Sequence, residues 1–192
     1  MGRIIVTEYI SIDGVIEAPG GEEDYEHVNW VFEFERGEEG QRFKDDEALR
    51  SEALLLGRIT YEGFAPAWPT MEGEVADKFN AMPKYVVSRT LVDPEWNNTT
   101  VLRGDVIEEA TALKQRIKGD VVVHGSAQLV RALFGAGLVD ELRLMVFPVV
   151  LGSGKRLFDG GGKKTLPPLR EATIVGDGIA ILTYGPTNED AG

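Results

Sequence analysis

The sequence predicts an α/β fold built on one mixed, mainly parallel sheet with an antiparallel finish. Three observations carry that expectation. Short apolar runs stop at Gly or Ser, amphipathic helical stretches lie between them, and the C-terminal third brings polar alternation and a Gly-Asp-Gly turn. Continuous apolar runs suit strands covered on both faces by helices, whereas alternation suits strands with one covered face.

Taken in order, RIIVTEYI (3–10) is β-branched and aromatic and reads as the first strand. Residues 24–52 are less regular, with Gly37 and Gly40 suggesting two helical pieces. ALLLG (53–57), KYVVS (84–88) and DVVVHG (120–125) are short buried strands. DVIEEATALKQRIKG (105–119) places Val106, Ala110, Leu113 and Ile117 on one helical stripe, with Asp105 as its cap and Gly119 as its stop. SAQLVRALFGAG (126–137) repeats the pattern, with Ser126 as cap and Leu129, Val130, Leu133 and Phe134 on the apolar face. ELRLMVFPVV (141–150) is a late strand, and REATIVGDGIAILTYG (170–185) folds as a hairpin about Gly176-Asp177-Gly178. No linker or repeat interrupts the series. The reading is a single domain over 1–186, whose last strand ends near Gly185, and a solvated tail over 187–192.

With 192 residues, 43% of them hydrophobic, the chain can bury one substantial core. Its formal charge of −12 argues against nucleic acid or an anionic membrane as partner, since both need clustered Lys and Arg. Any anionic ligand must then be held by a local positive site. There is no cysteine, so disulfides and thiolate metal sites are excluded. The N-terminus lacks the apolar stretch of a signal peptide, and no run approaches the roughly 18 apolar residues of a membrane span. A soluble, cytoplasmic protein is expected.

In an open α/β sheet, ligands bind where parallel strands end and helices begin. The residues after each strand are therefore the informative ones. Ser11, Asp13 and Gly14 follow the first strand, and Arg58 and Thr60 follow Gly57. Ser88 and Arg89 follow the third strand, while Gly125, Ser126 and Ala127 follow the next. Arginine forks and helix N-termini both suit phosphate. Each feature has an ordinary alternative: Ser126 as a plain N-cap, Arg58 as a surface arginine, Asp13-Gly14 as a turn. Their joint placement at successive strand ends is what points to a ligand. Gly-Ser-Gly-Lys at 152–155 is not a phosphate loop of the GxxxxGK[ST] type, because Val149 and Arg156 stand where Gly and Ser or Thr are needed. His27 and His124 lie far apart, and no metal site is expected.

LLLGRITYE (54–62), VVSRT (86–90), HGSAQL (124–129), IIVTEYISIDGVIE (4–17) and PVVLGSGKRLF (148–158) together resemble the dihydrofolate reductase superfamily. More closely, they are similar to its branch containing the reductase domain of the bifunctional riboflavin-biosynthesis deaminase–reductase. The resemblance runs from about residue 3 to 185. It implies a three-layer αβα fold with about eight strands and an NADPH cofactor. It also implies that Gly57, Arg58 and Thr60 approach the cofactor phosphates and that Ser88 and Arg89 face the 2′-phosphate. Gly125, Ser126, Ala127, Gln128 and Leu129 would cradle the pyrophosphate, with Ser126 where relatives usually carry a second glycine. Ser11, Asp13 and Gly14 would lie near nicotinamide and substrate. The chain departs from the family pattern in two respects. No cysteine exists to build the deaminase's zinc site, and Asp24, Glu26, Glu33 and Glu35 offer no clear match for a pterin-binding carboxylate.

The expected function is NADPH-dependent reduction of a small heterocycle, most like 5-amino-6-(5-phosphoribosylamino)uracil, with Asp13 handling the proton. Dihydrofolate reductase proper and a non-catalytic NADP(H)-binding module are the alternatives. The apolar stretch LMVFPVV (144–150) suggests either a homodimer surface or a strand buried in the monomer.

Overall fold

The computed structural model describes residues 1–21, 24–160, 162 and 164–186, so the expected tail over 187–192 lies outside the described residues. Chain order gives β1 (Arg3–Ser11), a 3-10 turn (Trp30–Glu33), α1 (Gly37–Arg50), β2 (Ser51–Gly57) and α2 (Arg58–Ala67). A second 3-10 turn (Trp68–Thr70), α3 (Glu74–Ala81), β3 (Lys84–Val87), β4 (Thr99–Leu102), α4 (Val106–Arg116) and β5 (Asp120–His124) follow. The chain continues through α5 (Ala127–Gly135), β6 (Glu141–Phe147), β7 (Leu169–Val175) and β8 (Ile179–Tyr184). All eight strands form one sheet in the order β4-β3-β2-β5-β1-β6-β8-β7. β1 to β6 pair in parallel, and β8 runs antiparallel to both β6 and β7.

The uninterrupted leucines of β2 are explained by covering on both faces. Leu55 and Ala53 pack with Ile4, Val6, Val121 and Val123 against Leu113 of α4 and Leu129 and Leu133 of α5. Leu54 and Leu56 point the other way, with Ile5 and Val122, onto Tyr61 of α2, Phe79 of α3 and Trp96. Each such leucine contributes about 1.5–3 kcal/mol by burial. A third cluster of Trp30, Met145, Phe147, Val175 and Ile179 fills the space beneath the C-terminal hairpin.

Two readings of the sequence are sharpened. The irregular region before β2 contains one 3-10 turn and one helix, and Gly40 lies inside that helix. It can do so because Val175 packs there: an added Cβ would stand 3.0 Å from Val175 Cγ2. The apolar stretch over 144–150 is largely interior. β6 is flanked by β1 and β8, with Met145 and Phe147 buried and Leu144 and Val146 packed on the α4–α5 core. Pro148 and Val150 are the exposed exceptions.

The β7–β8 turn is locked onto the chain before α1. The Asp177 N–H donates to the Glu35 carbonyl at 2.9 Å, and the Glu35 N–H donates to Asp177 Oδ2 at 2.8 Å. Gly176 has φ +48, and a Cβ there would overlap the Glu35 carbonyl oxygen and approach the Arg36 carbonyl carbon to 2.6 Å. Gly176→Ala should therefore cost about 1–3 kcal/mol in chemical denaturation, with an unchanged m-value.

Candidate functional site at the strand carboxyl ends

β3, β2, β5 and β1 are parallel neighbours, so their exits form one row along a single edge of the sheet. At the usual strand spacing the row spans about 14 Å. The chain leaves β5 for α5 on one face of the sheet and leaves β1 toward α1 on the other. Such a reversal opens a crevice at the strand ends. The last paired residues there are Thr7 and His124.

At the centre of the row, the β2–α2 and β5–α5 turns close on one another. A Cβ at Gly57 would come within 2.5 Å of both Cβ and Oγ of Ser126. A Cβ at Gly125, whose φ is +62, would come within 2.7 Å of Thr60 Oγ1. Both positions must therefore be glycine. Ser126 also has positive φ, at 62°, and its hydroxyl accepts a 3.4 Å hydrogen bond from the Leu129 N–H. The N-termini of α2 and α5 thus converge, each bringing unpaired N–H groups and a partial positive charge. Ala127 is half-buried, Gln128 exposed, and the Leu129 side chain belongs to the core.

Toward the β3 end, the buried Ser88 hydroxyl accepts from the N–H groups of Thr90 and Leu91, at 3.2 and 2.9 Å, shaping a tight turn. That turn presents Arg89 to solvent, and no carboxylate among the described residues pairs with it. Arg103, just beyond β4, donates to the carbonyls of Arg89 and Leu91 at 3.2 and 2.8 Å, adding a second cation to the same loop. Arg58, by contrast, grips Glu62 with two bonds of 2.8 and 2.7 Å.

Asp13 closes the other end of the row. Its carboxylate accepts from the Ser11 hydroxyl (2.7 Å), the Leu151 and Gly152 N–H groups (3.1 and 2.9 Å) and Arg156 (3.4 Å). Arg156 also donates to the Asp13 carbonyl at 2.9 Å, and the Gly14 N–H donates to the Ser11 carbonyl. The Ser11 hydroxyl above all, with the Leu151 and Gly152 N–H groups, holds the Asp13 pKa at about 2 against the opposing pull of burial. At neutral pH Asp13 is a fixed anion that staples its loop to the segment after β6.

Between these ends lies a buried polar cluster that the sequence reading did not single out. From α1, Lys44 donates to Thr7 Oγ1 of β1 at 2.9 Å, pairs with Glu47 and stands 5.2 Å from the Tyr9 ring centre. Arg143 of β6 bonds Glu47 at 3.1 Å and Glu141 at 2.6 Å, while Arg36 donates to the Tyr9 hydroxyl at 2.8 Å. Burial alone would raise the Glu47 carboxyl, but Lys44 and Arg143 outweigh it and hold it at about 2. His124 lies against Phe64 and Phe79, and burial with Lys44 nearby lowers its pKa to about 3, so it is neutral. Of the carboxylates on α1, Glu47 is the buried one.

Glu8 stands beside this cluster, on the opposite face of β1. It lies on β1 one residue beyond the last β1–β5 pair, is 7% exposed, and its Oε1 has no hydrogen-bond partner. Burial dominates and raises its pKa to about 8, against the opposing pull of Lys44 and the Gly125 N–H. The signal was present in the sequence: Ile4, Val6, Glu8 and Ile10 share one strand face, and three of the four are core residues. Among the described residues no group of three or more His, Cys, Asp or Glu is placed to hold a metal ion, and no helix is long and apolar enough to cross a membrane.

The sequence model of the family described as "RibD C-terminal domain" matches residues 3–181. The uncharacterized Bacillus subtilis protein YyaP is 30% identical over 161 residues, covering 81% of this chain and 80% of YyaP. A candidate riboflavin-biosynthesis protein of Shewanella sp. PV-4 superposes with a TM-score of 0.77 at 17% identity, covering 97% of this chain and 99% of its own. RibD of Acinetobacter baumannii superposes with a TM-score of 0.64 at 17% identity, over 97% of this chain and 58% of its own. At such identities the two structures speak for the fold.

The Asp13 clamp carries a pH signature. A carboxyl held near 2 in the fold, against an ordinary value near 3.8, stabilises the protein above that ordinary value. This contribution is lost as pH falls toward 2. Thermal melts between pH 5 and 2 should therefore show a shallower decline for Asp13→Asn than for the wild type.

Proposed function

The chain belongs to the RibD C-terminal domain family, and from that membership and the order of its strand exits we propose an NADPH-dependent reductase of a small heterocycle. The order of the exits carries the reading. Arg89 and Arg103 stand at one end, two convergent helix N-termini at the centre, and a crevice with a neutral acid at the other end. A 2′-phosphorylated nicotinamide dinucleotide has the same order: a terminal phosphate, a central pyrophosphate and an uncharged ring. On a chain of charge −12, an unpaired arginine at this edge suits the phosphate.

In this arrangement Ser88 shapes the loop that aims Arg89, and Gly57 and Gly125 let the backbone approach the pyrophosphate. Thr60, Ser126, Ala127 and Gln128 line that cradle, Leu129 contributes its backbone, and Arg58 offers the N–H groups that Glu62 leaves free. Bound NADPH would supply hydride; the protein would orient the ring, exclude water and provide a proton. Ser11, Asp13 and Gly14 would frame the substrate side as a rigid loop, with Asp13 positioning that loop.

The substrate we favour is a pyrimidine such as 5-amino-6-(5-phosphoribosylamino)uracil, acted on in the cytoplasm. A pterin fits less well. The buried acid on the first helix, Glu47, is bonded to Lys44 and Arg143 and has no free oxygen to receive a pterin ring. Steady-state NADPH oxidation with the pyrimidine and with dihydrofolate tests this choice; turnover of dihydrofolate alone would contradict it, and tight NADPH binding with neither turned over would indicate a binding module.

Arg89→Ala should weaken NADPH binding by roughly 1.5–3 kcal/mol, the worth of a charge-assisted bond, and leave NADH nearly unaffected. Fluorescence titration with both dinucleotides checks this. Equal losses would remove Arg89 from phosphate recognition.

A further inference from the structure

Reduction of a C=N or C=O bond needs a proton as well as a hydride, and the groups at the crevice can be compared as its source. Asp13 is ionised and holds hydrogen bonds from Ser11, Leu151, Gly152 and Arg156. Glu47 is ionised between two cations, and His124 is neutral and a very weak base. The Tyr9 hydroxyl accepts from Arg36, and Lys44 is committed to Glu47 and Thr7. Glu8 alone combines a place in the β1–β5 crevice, burial and an oxygen without a partner.

We propose that Glu8 is the proton donor of this site, its carboxyl standing in the crevice between β1 and β5 and facing the substrate heteroatom through Oε1. The proposal rests on the reductase reading above. As hydride from the reduced dinucleotide forms the new C–H bond, the π pair moves to the heteroatom. The Glu8 O–H bond then breaks and its proton goes to that atom, leaving Glu8 as a carboxylate to be reprotonated from water. The surroundings suit both halves of the cycle. Burial keeps the acid neutral before the step, while Lys44 of α1 and the Gly125 N–H support the carboxylate after it. Glu47 of α1, a fixed anion, is the other titratable group that acts on it; His124 of β5, in register with Thr7, lies on the opposite face of the sheet and is uncharged. With Glu8 near 8, activity should decline as pH rises through that value, because the donor is then ionised.

The test uses the full chain as wild type, Glu8→Gln and Glu8→Asp, with thermal melts confirming that each variant folds. Infrared spectra at pH 7 should show a protonated carboxyl band that is missing in Glu8→Gln and shifts when NADP⁺ is added. Glu8→Gln should bind NADP⁺ within about threefold of wild type yet reduce the pyrimidine about 10²–10⁴-fold more slowly. Its residual rate should lose the alkaline decline, and Glu8→Asp should recover part of the rate. An ionised Glu8 at pH 7, or wild-type turnover in Glu8→Gln, would overturn the assignment while leaving the reductase reading intact. Wild-type protein that neither binds the dinucleotide nor shifts the band would overturn that reading, and this role with it.

Discussion

The contact between two strand-exit turns governs this molecule. Gly57 has no side chain, and Ser126 stands in the space where one would be; Gly125 in turn lies against Thr60. Because both turns are so close, the N-termini of α2 and α5 face the same small volume. Side chains at either glycine would push the helices apart and separate their N–H groups. The apolar packing on both faces of β2 and β5 supplies the rigidity that makes this closeness sustainable, with Leu55 and Val123 on one side and Leu54 and Val122 on the other.

From that centre the site's electrostatics divide. Three acids sit within or beside the crevice, and their surroundings drive them apart. Asp13 and Glu47 are each ringed by donors and are ionised, whereas Glu8 is buried with one oxygen unpartnered and holds its proton. Environments that separate like groups in this way assign them different work. Asp13 joins β1 to the segment after β6, and Glu47 ties α1 to β6 through Arg143. The removal of either would leave cations and N–H groups without partners, a structural cost more than a chemical one.

Much of the frame was legible in the sequence, because burial on both faces leaves a plain record. LLLG and DVVVHG could only be interior strands, and the stripes of α4 and α5 were visible as Ala110 and Leu113 and as Leu129, Val130 and Leu133. Strand exits were legible too, since a parallel sheet places them on one edge. What escaped notice was coupling across the sheet. Arg58 pairs with Glu62 four residues on, a local contact that weakens its claim to a phosphate. Arg103 backs the Arg89 loop from a neighbouring strand, and nothing in the spacing of the two announces it. Lys44, Glu47 and Arg143 come from a helix and a strand about a hundred residues apart, and only the folded register brings them together. Asp13 is legible as a residue just after the first strand, but the donors that hold its charge come from Ser11 and from a segment nearly 140 residues away.

The central claim is that one row of strand exits binds an extended 2′-phosphorylated dinucleotide, with its ring at the β1–β5 crevice. Titration of NADP⁺ into isotope-labelled protein, following backbone amides by NMR, tests it most directly. The account predicts the largest shifts at Gly57, Arg89, Gly125 and Ser126, with Glu8 and Thr7 responding to the ring and Gly176 and Asp177 unmoved. Shifts confined to the α1 surface or the hairpin, or none at saturating dinucleotide, would contradict it.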